Sequence, residues 1–171
     1  MANRELFYVG GYTGKSPDSI YLCQFEADKI TVLESYGIED ASYLCLSPDR
    51  RFLYAVIEKG EYKDHAGGGV AAFAVQDGGR LRFINEGYTE GSAPCYLSVS
   101  PGGKALYAAN YGSGSTAYFK LSDDGGIGEM EKLIPHSNFA PASHGAEGRQ
   151  DSAHAHYIAP VCVDGVQTIW I

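Results

Sequence analysis

Tyr43-Leu44-Cys45-Leu46-Ser47-Pro48-Asp49-Arg50-Arg51-Phe52-Leu53-Tyr54-Ala55-Val56 returns 53 residues later as Tyr96-Leu97-Ser98-Val99-Ser100-Pro101-Gly102-Gly103-Lys104-Ala105-Leu106-Tyr107-Ala108-Ala109. Each copy reads as a short strand, a Ser-Pro turn and a second strand. Proline fixes φ at the first turn position, and Asp or Gly suits the positions after it. The first copy runs on into Gly69-Val70-Ala71-Ala72-Phe73-Ala74-Val75, a third strand. The turn composition Gln76-Asp77-Gly78-Gly79-Arg80 follows, and then Leu81-Arg82-Phe83-Ile84, a fourth. The second copy keeps this order, with a strand over 115–121, a turn at Asp123-Asp124-Gly125-Gly126 and a strand over 128–134.

Four antiparallel strands in a repeat of roughly fifty residues make one blade of a β-propeller. The sequence therefore predicts an all-β protein built of four-stranded antiparallel blades. Outward from the two full copies, Leu6-Phe7-Tyr8-Val9 matches the second strand of a blade, and 20–25 and 30–36 match the third and fourth. The first blade is expected to lack its innermost strand. At the other end, Pro160 aligns with Pro101, Asp164-Gly165 reads as the turn, and Thr168-Ile169-Trp170-Ile171 as a second strand. The expected division is an incomplete blade over 1–40, blades over 41–92 and 93–140, and the start of another over 153–171. The chain is expected to be the N-terminal part of a longer propeller, with self-association through its open blade edges.

Composition agrees. The 171 residues are 44% hydrophobic and 20% charged, with 22 Gly for turns and 13 Tyr for strands. A formal net charge of −8 disfavours nucleic acid and anionic membranes, which would be repelled. An anionic small substrate needs a local basic site. Cys23, Cys45, Cys95 and Cys162 form no C-x-x-C pair and read as free thiols. Residues 1–5 are polar and the apolar run after them is short. No secretory leader or membrane span is expected, and the cytoplasm is the default compartment.

The densest polar cluster runs from His144 through Arg149, Gln150 and Asp151 to His154 and His156. On the Pro160 alignment, His154 replaces Ser42 and Cys95, and His156 replaces Leu44 and Leu97, on the strand lining the central channel. Residues two apart on a strand share a face. Three readings stand. The histidines activate water beside an anion-binding Arg149 in a hydrolytic site; or they bind a metal with Asp151 or His144; or they are satisfied polar residues filling the channel. Asn110, in Asn110-Tyr111-Gly112-Ser113-Gly114-Ser115, lies in a loop without the helix or lysine of a phosphate cradle, though it can point at a ligand. No serine sits in a G-x-S-x-G elbow. Lys59–His65 reads as a solvated loop.

Several ordered segments resemble the lactonase family of seven-bladed propellers, the 6-phosphogluconolactonase-like group. They are Tyr8-Val9-Gly10-Gly11-Tyr12-Thr13, Ser47-Pro48-Asp49-Arg50-Arg51-Phe52-Leu53-Tyr54, Ala109-Asn110-Tyr111-Gly112-Ser113-Gly114-Ser115 and Arg149-Gln150-Asp151-Ser152-Ala153-His154-Ala155-His156. The resemblance implies an arc of about three blades out of seven and no cofactor or metal. It implies hydrolysis of a small anionic sugar lactone, 6-phospho-glucono-1,5-lactone. Carried over, His154, His156 and Arg149 are the catalytic candidates, with Gln150, His144 and Asn110 binding substrate. A related branch cyclises carboxymuconate, and a non-catalytic propeller binding a metabolite or protein partner is the alternative from another class. Ala153 stands where the family has proline, and the family pattern fades after Pro160.

Overall fold

The computed structural model describes residues 4–137 and 152–171. The first sheet has three strands, β1 (Glu5–Gly10), β2 (Ile20–Glu26) and β3 (Lys29–Tyr36), in that order. The second has β4 (Leu44–Leu46) and β5 (Phe52–Ile57). A small hairpin of β6 (Glu61–Tyr62) and β7 (His65–Ala66) intervenes before β8 (Gly69–Val75) and β9 (Leu81–Tyr88). The third has β10 (Pro94–Val99), β11 (Ala105–Asn110), β12 (Ser115–Leu121) and β13 (Ile127–Pro135). A last pair, β14 (Ala159–Val163) and β15 (Val166–Trp170), turns at Asp164-Gly165, both at positive φ. All neighbours are antiparallel, so the sequence reading of blades holds.

The central strands form because the second sheet is sandwiched between the first and the third. In β5, Leu53, Ala55 and Ile57 join a core with Ile20, Ile38, Ala71 and Phe73, toward the first sheet. The alternate residues Tyr54 and Val56 join Val70, Ala72, Leu97, Leu106, Phe119 and Ile127, toward the third. Strand alternation thus sends successive side chains into two different cores. A strand buried on both faces reads as a continuous apolar run, which is what Phe52–Ile57 is.

Polar bonds fix the sheets to one another. Tyr8 in β1 donates its hydroxyl to the Gly79 carbonyl at 2.6 Å, in the turn before β9. Tyr54, one sheet later, donates to the Gly125 carbonyl at 3.1 Å, in the turn before β13. The two contacts are the same clamp repeated. Asn85 adds a second link: its Nδ2 donates to the Ile127 carbonyl at 2.7 Å, and the Ile127 amide donates to its Oδ1 at 2.9 Å. Gly125 sits at φ 83°, and a Cβ there would lie 2.2 Å from Phe52 Cδ1.

Two expectations are corrected. Lys59–His65 is not a plain solvated loop, because hairpin β6–β7 folds back within it. Tyr62 is buried and donates to Glu86 Oε2 at 2.9 Å, and His65 stacks on Tyr88 at 3.9 Å. The second correction concerns the last repeat, where the innermost strand begins at Ala159 and not at His154. The rings of Tyr43 and Tyr96 lie 4.3 Å apart, and those of Tyr96 and Tyr157 4.8 Å apart. Tyr157 is therefore the equivalent of Tyr96, an offset of 61 rather than 59. Pro160 lies within β14, paired with Ile169.

The clamps predict how the arc comes apart. Asn85→Ala, which removes both hydrogen bonds to Ile127, should cost about 2 kcal/mol, and Tyr54→Phe about 1 kcal/mol. In thermal melts of the 171-residue chain these are expected as falls of roughly 4–8 °C and 2–4 °C. Gly125→Ala should exceed Tyr54→Phe, since it adds both a backbone strain and a clash with Phe52. Melting unchanged in Asn85→Ala would mean that the Asn85 link adds nothing to the hold between the second and third sheets.

Candidate functional site

With the register corrected, His154 occupies the position of Asp40 and Ala93, and His156 that of Ser42 and Cys95. These positions lie just ahead of the innermost strands or, for Cys95, at the start of one, at one rim of the blades. Asp40 and Ala93 share a left-handed backbone, φ 45° and 51°. Each also presents its carbonyl to the residue that follows the second strand of its sheet or lies next after it. The Glu58 amide donates to Asp40 O at 3.1 Å, and the Tyr111 amide donates to Ala93 O at 2.9 Å. Glu58 and Tyr111 are thus equivalent rim positions in adjacent blades.

The segment carrying the histidines is seated on this rim. Gly114 permits the approach: a Cβ there would lie 2.2 Å from the Ala153 carbonyl oxygen. Ala155 and Ile158 are buried with Ala109, against Tyr96 and Tyr107. Cys95 Sγ donates to the Ala155 carbonyl at 3.7 Å.

His154 stacks on the Tyr111 ring, with centroids 4.4 Å apart and planes 14° from parallel. His156 meets the same ring edge-on at 5.5 Å and is exposed. His154 Nδ1 lies 2.9 Å from the Tyr111 carbonyl oxygen. A carbonyl only accepts, so Nδ1 carries a proton, and in the neutral ring Nε2 is the nitrogen with the lone pair. Nε2 lies 3.4 Å from Ser152 Oγ, a long contact that leaves it accessible to another donor. The ring is held by one stack and one hydrogen bond, with Nε2 on the side of Ser152.

Of the other candidates, Asn110 is fully buried. Its Nδ2 donates to Ser115 Oγ at 3.1 Å, and a Cβ on Gly91 would lie 2.1 Å from that nitrogen. It braces the turn carrying Tyr111, and its Oδ1 has no partner among the described residues. Arg149, Gln150 and His144, and the metal-reading partner Asp151, lie outside the described residues. No group of three or more His, Cys, Asp or Glu among the described residues is arranged to hold a metal.

Sequence reasoning missed three residues of this rim. Tyr111 orients both histidines, one through a backbone carbonyl that no residue type announces. Glu58 is half-buried and accepts through Oε2 from the Tyr12 hydroxyl at 3.0 Å and from Ser42 Oγ. Tyr12 closes over it from the loop after β1. Lys59 is drawn away from Glu58: its Nζ pairs with Asp40 at 2.7 Å and Glu39 at 3.3 Å. Burial pushes the Asp40 carboxyl up, but Lys59 and Thr13 outweigh it and hold it below the usual range. The offset of 53 that links Glu58 to Tyr111 was the available signal. A groove of about 710 Å³ is lined by Tyr36, Tyr62, Phe73 and Phe83, with Glu39 at its edge.

The comparisons with known proteins agree with the fold. Residues 6–163 match the family model "Lactonase, 7-bladed beta-propeller". An uncharacterized protein of Staphylococcus epidermidis is 37% identical over 159 residues, covering 90% of this chain and 43% of that protein. The 6-phosphogluconolactonase of Bacillus subtilis is 30% identical over 154 residues, covering 88% and 41%. Among solved structures, the periplasmic gluconolactonase of Pseudomonas aeruginosa superposes with a TM-score of 0.80 at 28% identity, covering 95% of this chain and 46% of that one. A protein from Lactobacillus plantarum superposes at 0.72 and 29%, covering 94% and 43%. The chain spans less than half the length of these relatives. No helix among the described residues is long and apolar enough to cross a membrane. The repeated four-stranded sheets, the register of the rim and the family match together place this chain in the lactonase family of seven-bladed β-propellers.

Proposed function

We propose that the propeller containing this arc opens a sugar lactone by general-base hydrolysis, with His154 as the base. The substrate is 6-phospho-glucono-1,5-lactone and the product 6-phosphogluconate, a step of the pentose phosphate pathway in the cytoplasm. The observation that carries the reading is the His154 Nδ1 contact with the Tyr111 carbonyl, which leaves Nε2 as the basic atom. Relatives named 6-phosphogluconolactonase support the substrate class.

Chemically, water attacks the lactone carbonyl carbon while Nε2 of His154 takes its proton. The carbonyl oxygen becomes an oxyanion, which His156, on the same ring of Tyr111, stabilises as a hydrogen-bond donor. Collapse breaks the bond to the ring oxygen, and the imidazolium returns the proton to that leaving oxygen. Atoms balance as lactone plus water giving hydroxy acid. Arg149 would neutralise the anionic end and Gln150 and His144 would contact the sugar, roles that rest on the sequence resemblance. In a chain of net charge −8 an anionic substrate depends on such a local cation.

Lactone loss should be measured with the chain alone and with it joined to the remaining blades of the Bacillus subtilis relative, against spontaneous hydrolysis. The joined protein is expected to exceed the spontaneous rate, and His154→Ala to lower kcat by about 10²–10⁴-fold, the worth of a general base. An undiminished rate in the His154→Ala/His156→Ala double variant would sink the assignment.

Tyr111→Ala tests the positioning separately. It removes the ring from under His154 while leaving the backbone carbonyl, and a loosened base should cost about ten- to a hundredfold in kcat. Retained kcat in Tyr111→Ala would show that the ring contact is idle.

A further inference from the structure

We propose that Glu58, with the ring of Tyr12 beside it, forms a polyol subsite on the same rim, taking vicinal hydroxyls of a neutral sugar-like ring and favouring polyhydroxylated lactones over unsubstituted ones. The inference rests on the lactonase reading only in placing substrate at this rim.

The charge and its surroundings come first. Glu58 is half-buried, and among the described residues it forms no ion pair, because the adjacent Lys59 is committed to Asp40 and Glu39. Its hydrogen bonds come from two neutral hydroxyls, Tyr12 and Ser42, and both converge on Oε2. A carboxylate offers about four acceptor positions over two oxygens. Oε1 carries no hydrogen bond among the described residues, and Oε2 is held in one orientation by its two donors. An orientated carboxylate without a cation suits hydroxyl donors, and it repels phosphate. The anionic end of a substrate must then lie away from Glu58, which orients the ring.

Placement is the second argument. Glu58 stands where Tyr111 stands one blade on, so it borders the rim that seats His154 and His156. Cys95 lies between the two: its thiol reaches the Ala155 carbonyl. Burial first, and then the Glu58 charge, push that thiol's pKa up.

Tyr12 supplies the third argument. It is 66% exposed although its hydroxyl is tied to Glu58, so a flat aromatic face is presented beside the carboxylate. An exposed large ring anchored at its polar end offers an apolar face to the C–H side of a pyranose while the carboxylate takes the hydroxyls.

The probe is 1,5-anhydro-D-glucitol, which has the hydroxylated ring but neither phosphate nor lactone carbonyl. Its binding to the full 171-residue chain is followed by NMR titration. Saturable binding is expected, weakened at least tenfold in Glu58→Gln and at least fivefold in Tyr12→Ala, whose exposed site makes it tolerant of substitution. Absence of binding to the unsubstituted chain overturns the proposal, as does equal binding by Glu58→Gln or, should that variant melt early, by Tyr12→Ala. Lactone turnover separates the two readings. Binding that depends on Glu58 without any lactone turnover by the protein joined to the remaining blades leaves the subsite and removes the lactonase reading. Turnover that prefers glucono-1,5-lactone over δ-valerolactone equally in the parent and in Glu58→Gln does the reverse.

Discussion

The hydroxyl of a second-strand tyrosine, donated to a turn carbonyl of the following sheet, is the contact on which the rest of the arc depends. Apolar packing between twisted sheets is strong but slides easily, because it has little direction. A buried hydrogen bond has direction, and leaving its carbonyl unpaired carries a cost of about 1–3 kcal/mol. Tyr8 to Gly79 and Tyr54 to Gly125 therefore set how far each sheet is displaced along its neighbour. Asn85 repeats the restraint from the outer strand of the second sheet to the first residue of the outer strand of the third. Tyr107 is the next tyrosine in the series. It stacks on Tyr118 at 5.5 Å and packs against the small core under Ala155 and Ile158. Once the sheets are fixed in this way, equivalent backbone positions come to the same rim, and the chemistry of the rim depends only on which side chain each blade places there.

That dependence explains what was legible in the amino-acid sequence and what was not. The blades were legible because sandwiched strands need two-faced apolar runs and because Pro, Asp and Gly mark the turns. Phe52–Ile57 and Ala105–Asn110 carry that signal in consecutive residues. Matching Pro160 to the turn residue Pro101 puts the last repeat two residues out of register. Proline is also accepted in a short edge strand, where its missing amide faces no ladder partner. The aromatic at Tyr157 was the better anchor, since a ring stacked in a series of rings cannot slip without losing its contact. Hairpin β6–β7 was invisible for another reason: its two-residue strands are fixed by Tyr62 and His65 reaching Glu86 and Tyr88, partners distant in sequence.

The site divides in the same way. The two histidines announced themselves as residue types, whereas their orientation comes from a carbonyl and a ring of Tyr111, in a segment that reads as an ordinary loop. Asn110 was a candidate by its polarity. Its burial beneath Gly91 makes it a brace, and an amide filling that space keeps the Tyr111 turn at the height the histidine needs. Polarity in sequence marks where hydrogen bonds are made, not whether they face a ligand or the protein.

The rim is also unequal from blade to blade, and the inequality has a direction. Asp40, Ser42 and Glu58 make the second blade acidic at positions where the third has Ala93, Cys95 and Tyr111, and where the segment ahead of β14 places His154 and His156. Basicity therefore rises along the arc while the backbone stays the same. A ligand with hydroxyls on one side and a reactive or anionic group on the other can satisfy such a gradient in one orientation only, because reversing it would bring negative charge against Glu58. Repetition supplies the geometry and departures from repetition supply the chemistry. In a structure built from near-identical blades, the positions that differ most in charge between equivalent places are thus where selectivity must be sought.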